Sequence, residues 1–303
     1  MKYRLFRLIL FELKKIINHK KAILFLIALN IVPIIASIAL IAAYIKLNGF
    51  GIGSIQDTVV YNAVKALFLA HLKLFAFIAP FFLALIVGDS FSTEFNKGYM
   101  KMLLLTPISR SHIILAKAFA IIIFLLLATV IGGLLLQGDL FITSLIPKTP
   151  SIPLPFMPSG NLSATTPPPT TFITSYSAIQ LLFMAFTANV MIVGFYILTS
   201  LFFESATIMA FTSTSIIMGI YFIQVISDGF LNKIYPWLDK VIFLCFTRHL
   251  DVIFSIESIE GVCNGKLSAF SGAIFSNCMY SCCWAIFFFL VAAFIFSRKH
   301  ILH

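Results

Sequence analysis

Six stretches of this chain are apolar for about 20 residues or more: approximately residues 22–45, 66–87, 113–136, 178–203, 206–226 and 273–296. That length is what a helix needs to cross the hydrocarbon of a bilayer, about 30 Å thick, while satisfying its own backbone. Of the 303 residues, 60% are hydrophobic and only 11% charged, whereas soluble domains hold roughly 45–50% apolar residues. A water-soluble fold of this length would lack the polar residues to cover its surface. The chain therefore reads as an all-α integral membrane protein with six transmembrane helices.

Charge sets the orientation. The formal net charge is +10, which in another protein would suggest nucleic acid. Here the basic residues border the apolar runs instead of forming a basic domain, so no nucleic-acid partner is expected. Cytoplasmic loops retain Lys and Arg. With the N-terminus inside, that side holds Lys2, Arg4, Arg7, Lys14, Lys15, Lys20, Lys21, Lys97, Lys101, Arg110, Lys117, Arg298 and Lys299, thirteen of twenty-one. The other eight are spread over longer outer segments with seven acids. Both termini are then cytoplasmic. The first span exceeds the ~7–15 apolar residues of a signal peptide and is followed by no small-x-small cleavage site, so it is expected to stay as an anchor.

Within the spans, Lys73 and Lys117 each sit one turn from an end and are expected to snorkel to the nearer interface. Pro33 and Pro80 are expected to kink the first two spans. Residues 1–21 precede the first span. Over 3–19 the helical period puts Arg4, Arg7, Lys14, Lys15 and Asn18 on one arc and Leu5, Leu8, Ile9, Leu13, Ile16 and Ile17 on the other. An N-terminal amphipathic helix lying in the interface follows, either as a basic flank or as a helix that a cytoplasmic partner grips.

On the outside, residues 137–177 hold eight of the twelve prolines, a composition for extended, poorly packed chain. Residues 228–272 form a second outer segment whose apolar piece, VIFLCF, is too short to cross and whose His249 reads as an ordinary loop residue. Five cysteines, Cys245, Cys263, Cys278, Cys282 and Cys283, match neither a metal site nor a disulfide framework, and a Cys245–Cys263 bridge is left open.

No motif carries catalysis. HExxH, GxSxG and paired-carboxylate patterns are missing from the sequence. GVCNGK, residues 261–266, is one residue short of a phosphate loop and lacks the hydroxyl after its lysine. The chain has no nucleotide site, catalytic group, cofactor or metal constellation of its own to assign. A face of the fifth span, Thr207, Phe211, Thr214, Met218 and Tyr221, reads either as packing or as the lining of a cavity for an amphiphile. Glu204, in the turn before that span, either pairs with a nearby base or marks the helix start with Ser205 as cap.

The most specific stretch is GDSFSTEFNKGYMKMLLLTPISRSHIILAK, residues 88–117. It holds Glu94, Gly98, an apolar turn at Leu103, Leu104 and Leu105, then Pro107, Arg110 and Lys117. Gly98 permits a chain reversal, and Thr106 with Pro107 is suited to start the third span. Met100, Met102 and the three leucines offer apolar surface outside the bilayer. This pattern resembles the cytoplasmic loop between the second and third spans of type-2 ABC transporter permeases. The basic start FELKKIINHKK and the end FSRKHIL are similar to that family's termini. The departures are Tyr99, where Thr commonly follows the glycine, and His300, where Asp is frequent.

The resemblance implies a single ABC-2 type transmembrane domain with a coupling loop over 89–112. It implies a permease subunit of an ATP-driven exporter that forms half of a pathway, so that two copies, or this chain and a similar one, assemble with separate ATPase subunits holding ATP and magnesium. Glu94 and Arg110 would serve as hinge or docking contacts, and the cell (inner) membrane would be the location in a bacterium. A membrane-embedded lipid-modifying enzyme is the alternative from another class, and it requires a polar cluster facing the interface. A non-transporting membrane scaffold is a third.

Overall fold

The computed structural model describes residues 2–48, 78–94, 109–144, 175–226 and 267–298. Every described segment is helical, and among these residues there is no strand. In chain order the elements are α1 (Lys2–Ile17), α2 (Lys20–Asn48), α3 (residues 78–94), α4 (Arg110–Ser144), α5 (Ser175–Ser200), α6 (Ala206–Ile226) and α7 (Leu267–Arg298). Three stretches are long and apolar enough to cross a membrane: His112–Leu135 in α4, Leu182–Ser200 in α5 and Phe275–Arg298 in α7. They coincide with the third, fourth and sixth expected spans. The first lies within α2, which continues through position 33 without a break, and the fifth is α6. Of the second, only the part in α3 falls within the described residues.

The core is a helix-on-helix apolar layer. α5 is central: 72% of its most apolar 18 residues are buried, against 39% for α4 and 28% for α7. It packs along α7 and α4, and α1 lies along α4. Between helices in lipid the hydrophobic effect contributes little, so close backbone approach and dispersion decide the packing. Gly194 shows this. A Cβ there would lie 3.2 Å from Phe288 Cβ and 3.3 Å from the Ala285 carbonyl oxygen, so the bare glycine is what lets α5 meet α7. Phe195, Phe288 and Trp284 fill the adjoining space, with ring centroids 5.5–5.6 Å apart in the Phe195–Phe288 and Trp284–Phe288 pairs.

The hydroxyls and amides inside these helices mostly bond the preceding turn, the usual outlet for such groups in an apolar helix. Thr187 Oγ1 donates to the Met184 carbonyl at 2.9 Å, Asn189 Nδ2 to Ala185 at 2.8 Å, Thr212 to Ile208 at 2.7 Å and Ser213 to Met209 at 2.6 Å.

α3 is not α-helical throughout. Asp89–Thr93 forms a π-helical turn, ending in Glu94. In an α-helix residues five apart differ by about 140° around the axis. The wider turn, with its i→i+5 register, brings them toward one side, and so Asp89 and Glu94 both face α1 and the start of α2. Two contacts hold this turn in place. Ser92 Oγ donates to the Ser200 carbonyl at the end of α5, 3.2 Å away. At Gly88 the start of α6 comes so near that a Cβ would stand 2.9 Å from the Ala206 oxygen and 3.0 Å from its Cα.

Candidate functional site

The functional geometry begins on α1. At about 100° per residue, Glu12 falls in the middle of the apolar arc formed by Leu5, Leu8, Ile9 and Ile16. That arc is the face turned to α4, and Glu12 and Ile16 are both buried there. A lone carboxylate in such a place is costly unless it is paired.

Its partner is Lys117 on α4. The Lys117 side chain is 1% exposed and that of Glu12 3%. Lys117 Nζ donates to Glu12 Oε2 at 3.0 Å and to Glu94 Oε2 at 2.7 Å. The ring of Phe91, in the π turn, lies 5.8 Å from the ammonium. The other oxygen of Glu94 accepts from Lys15 Nζ. Two lysines and two glutamates thus form a closed, electrically neutral set drawn from α1, α3 and α4. Each carboxylate holds at least one lysine, and Lys117 holds both carboxylates. Lys15 has its pKa lowered, first by burial and next by repulsion from Lys117, with attraction from Glu12 opposing both.

A second pair continues the set toward α2. Lys21 Nζ is 2.6 Å from Asp89 Oδ2, and His19 Nε2 is 3.7 Å from the same oxygen. His19 also caps α2: its Nδ1 accepts from the Lys21 backbone N–H at 3.4 Å. Of the four acids on the expected inner side, Glu12, Asp89 and Glu94 are all used in this one region, and only Glu204 lies apart.

One sequence expectation is corrected here. Lys117 does not snorkel into water; its ammonium ends between two carboxylates inside the protein. α4 begins at Arg110, and Thr106 and Pro107 lie outside the described residues. Ser109 marks its start, its backbone carbonyl accepting from His112 N at 3.0 Å and its Oγ meeting His112 Nδ1.

Of the other candidates, some lie outside the described residues and the described ones stand apart from the cluster. Arg110 opens α4, with its side chain outside the described residues; Gly98, Leu103, Leu104, Leu105 and Pro107 lie outside them altogether, as do Lys73, His249, Cys245 and Cys263. Glu204 is exposed in the turn between α5 and α6, and no ion pair joins it to another described residue. On α6, Thr207, Phe211 and Met218 are exposed, Phe211 meets Phe81 edge-on at 6.3 Å, and the half-buried Thr214 shares a 3.4 Å hydroxyl contact with the buried Tyr196. The Tyr221 side chain is outside the described residues. Cys278, Cys282 and Cys283 are free thiols, and Cys278 accepts from Thr187 at 3.5 Å.

Apolar helices joined by a buried ion-pair set define an integral membrane protein with a charged junction among α1, α3 and α4. Residues 8–151 match the model of the ABC-2 family transporter proteins. The match includes every member of the charged set, and it supports an ABC-2 type permease, as the loop over 88–117 implied. It points to a transport subunit of an ABC transporter, with an ABC ATPase as the general partner, and not to a catalytic enzyme. A comparison with curated proteins found no match.

Proposed function

We propose that this chain is the permease subunit of an ATP-driven exporter, with six crossings, both termini cytoplasmic, and a loop over 89–112 that docks on a separate ATPase. Two such subunits, identical or similar, complete the pathway, and ATP with magnesium is held by the ATPase chains. In a bacterium the location is the inner membrane.

The observation that carries this reading is the Glu12–Lys117–Glu94–Lys15 set within the ABC-2 matched region. Glu94 is the last described residue of α3 and lies near the start of that loop range, and Lys117 lies just past its end on α4. A push on the loop would reach both helices through a contact that cannot stretch without separating buried charges, which is costly. α1 would move with them, because Glu12 shares Lys117. The neutral ion-pair set, with each carboxylate already engaged, supplies no unengaged acid or base for lipid chemistry, so the transport reading is preferred to a lipid-modifying enzyme.

The test is association with a cognate ATPase. The chain is co-expressed with the ATPase, purified through a tag on one partner, and assayed for co-purification and substrate-stimulated hydrolysis. Replacing Leu103, Leu104 and Leu105 with Ser is expected to abolish co-purification, and Glu94→Gln to reduce stimulated hydrolysis while leaving association largely intact. Undiminished association and hydrolysis in both variants would count against docking through this loop.

A further inference from the structure

The π turn of α3 has neighbours on two sides. On one, Gly88 lies against the start of α6, where a Cβ would stand 2.9 Å from the Ala206 oxygen, and the buried Ser92 donates through Oγ to the Ser200 carbonyl at 3.2 Å. On the other, the Phe91 ring lies 5.8 Å from the Lys117 ammonium, and Glu94 holds both Lys117 and Lys15. Ser92 and Glu94 are two residues apart, and side chains so spaced on a helix do not face each other. What joins them is the backbone of the turn.

Ser200 is the last residue of α5, and a carbonyl in the last turn of a helix has no partner within that helix. The next two amides turn back to Leu198 and Thr199, at 3.3 and 3.0 Å, and Ser92 is the donor that meets the Ser200 carbonyl. A π turn is rare within an α-helix, so contacts from outside must favour it. Relative to Gly88, a return to the α register would turn Glu94 around the axis by one residue's step, about 100°. Lys117 would keep Glu12, whereas Lys15 would lose the carboxylate that it donates to.

We propose that Ser92 is a positioning residue for the charged junction: its bond to Ser200, together with the Gly88 contact at Ala206, holds α3 in the π register that brings Glu94 to Lys117 and Lys15. The corner between α5 and α6 then governs a residue on the far side of α3. A displacement of that corner loosens the junction without touching any of its four charges. The use of this control in transport rests on the proposed function. The register itself does not, and its readouts need no ATPase, so the inference can fail while the permease reading stands, and the reverse.

The test uses the purified full chain in mixed micelles and two readouts. The first is a double-mutant cycle on the unfolding constant. Ser92→Ala is expected to raise that constant roughly tenfold, as orphaning a buried acceptor does, but only about threefold when Glu94→Gln is already present, a coupling that independent sites do not show. The second is acetylation of Lys15 measured against the exposed Lys14 of the same molecule. In Ser92→Ala, Lys15 is expected to gain on Lys14 by roughly two- to tenfold, the shift that one net hydrogen bond gives an equilibrium between two registers. A merely structural serine would change stability without moving this ratio. Ser90→Ala, which removes a hydroxyl from the same turn without touching the link to Ser200, is expected to leave the ratio unchanged. Equal costs of Ser92→Ala in both backgrounds, an unmoved Lys15 ratio in Ser92→Ala, or the same rise in Ser90→Ala would each overturn the proposal.

Discussion

Removing the ammonium of Lys117 tests the charged junction most sharply, because the four members of the set do not depend on it equally. In Lys117→Met the stem volume is kept while Glu12 loses its ion partner, and Glu94 keeps Lys15. Breaking a buried pair by removing one member costs about 3–5 kcal/mol, a change of roughly 10²- to 10³-fold or more in the unfolding constant. Glu12→Gln is milder, since Lys117 retains Glu94 and the amide oxygen still accepts; the lost charge-assisted bond is worth about 1.5–3 kcal/mol. The double variant Glu12→Gln/Lys117→Met has no unpaired charge left, because Glu94 and Lys15 still neutralise each other. It is expected to lie within about 1–2 kcal/mol of the parent, giving a coupling of about 2–3 kcal/mol or more. The measurement is reversible unfolding of the purified chain in mixed micelles at pH 7, followed by far-ultraviolet circular dichroism against the fraction of denaturing detergent. A Lys117→Met cost below about 0.5 kcal/mol, far under the range for a buried pair, or a double variant equal to the sum of the singles, would refute the reasoning.

Further outcomes follow from other contacts. Gly88→Ala is expected to destabilise by about 1–3 kcal/mol, because the atoms a Cβ would meet belong to the Ala206 backbone; Gly194→Ala should cost less, its neighbours standing at 3.2 Å and beyond. Thermal unfolding of the two variants checks the order, and an unchanged Gly88→Ala protein would contradict the close approach. Lys15 is expected to lose its proton below the ordinary 10.5. Between its folded value and 10.5 the unfolded chain binds more protons, so this group's contribution to stability rises with pH across that window. Competitive acetylation of lysines as a function of pH reads its titration directly, and a Lys15 titrating at or above 10.5 would show that burial does not dominate.

The apolar helices were legible because a run of about 20 apolar residues in hydrocarbon satisfies its backbone most simply as a helix. α2, α4, α5, α6 and α7 all fall where that rule puts helices. The end state of Lys117 was not legible. Its position one turn inside a span permits two outcomes, a stem reaching to water or an ammonium meeting an acid on another helix, and helical period does not say which helix is near. The missed residue is Glu12. Its signal was present in the sequence: it is the one acid in the first 56 residues, and it sits at the centre of an apolar arc where nothing but pairing makes it tolerable. The π turn was invisible for a different reason. Periodicity assumes 3.6 residues per turn, and one widened turn after Gly88 shifts where Asp89 and Glu94 point without changing any residue type.

The account stands on the charged junction and its loop lying on the side of the membrane where an ATPase can reach them. With the five native cysteines replaced, single cysteines at positions 97 and 110 are to be challenged with a membrane-impermeant maleimide in intact cells and in inverted vesicles. Labelling confined to the inverted vesicles is the predicted result. Labelling of either position from the outside of intact cells would contradict the account.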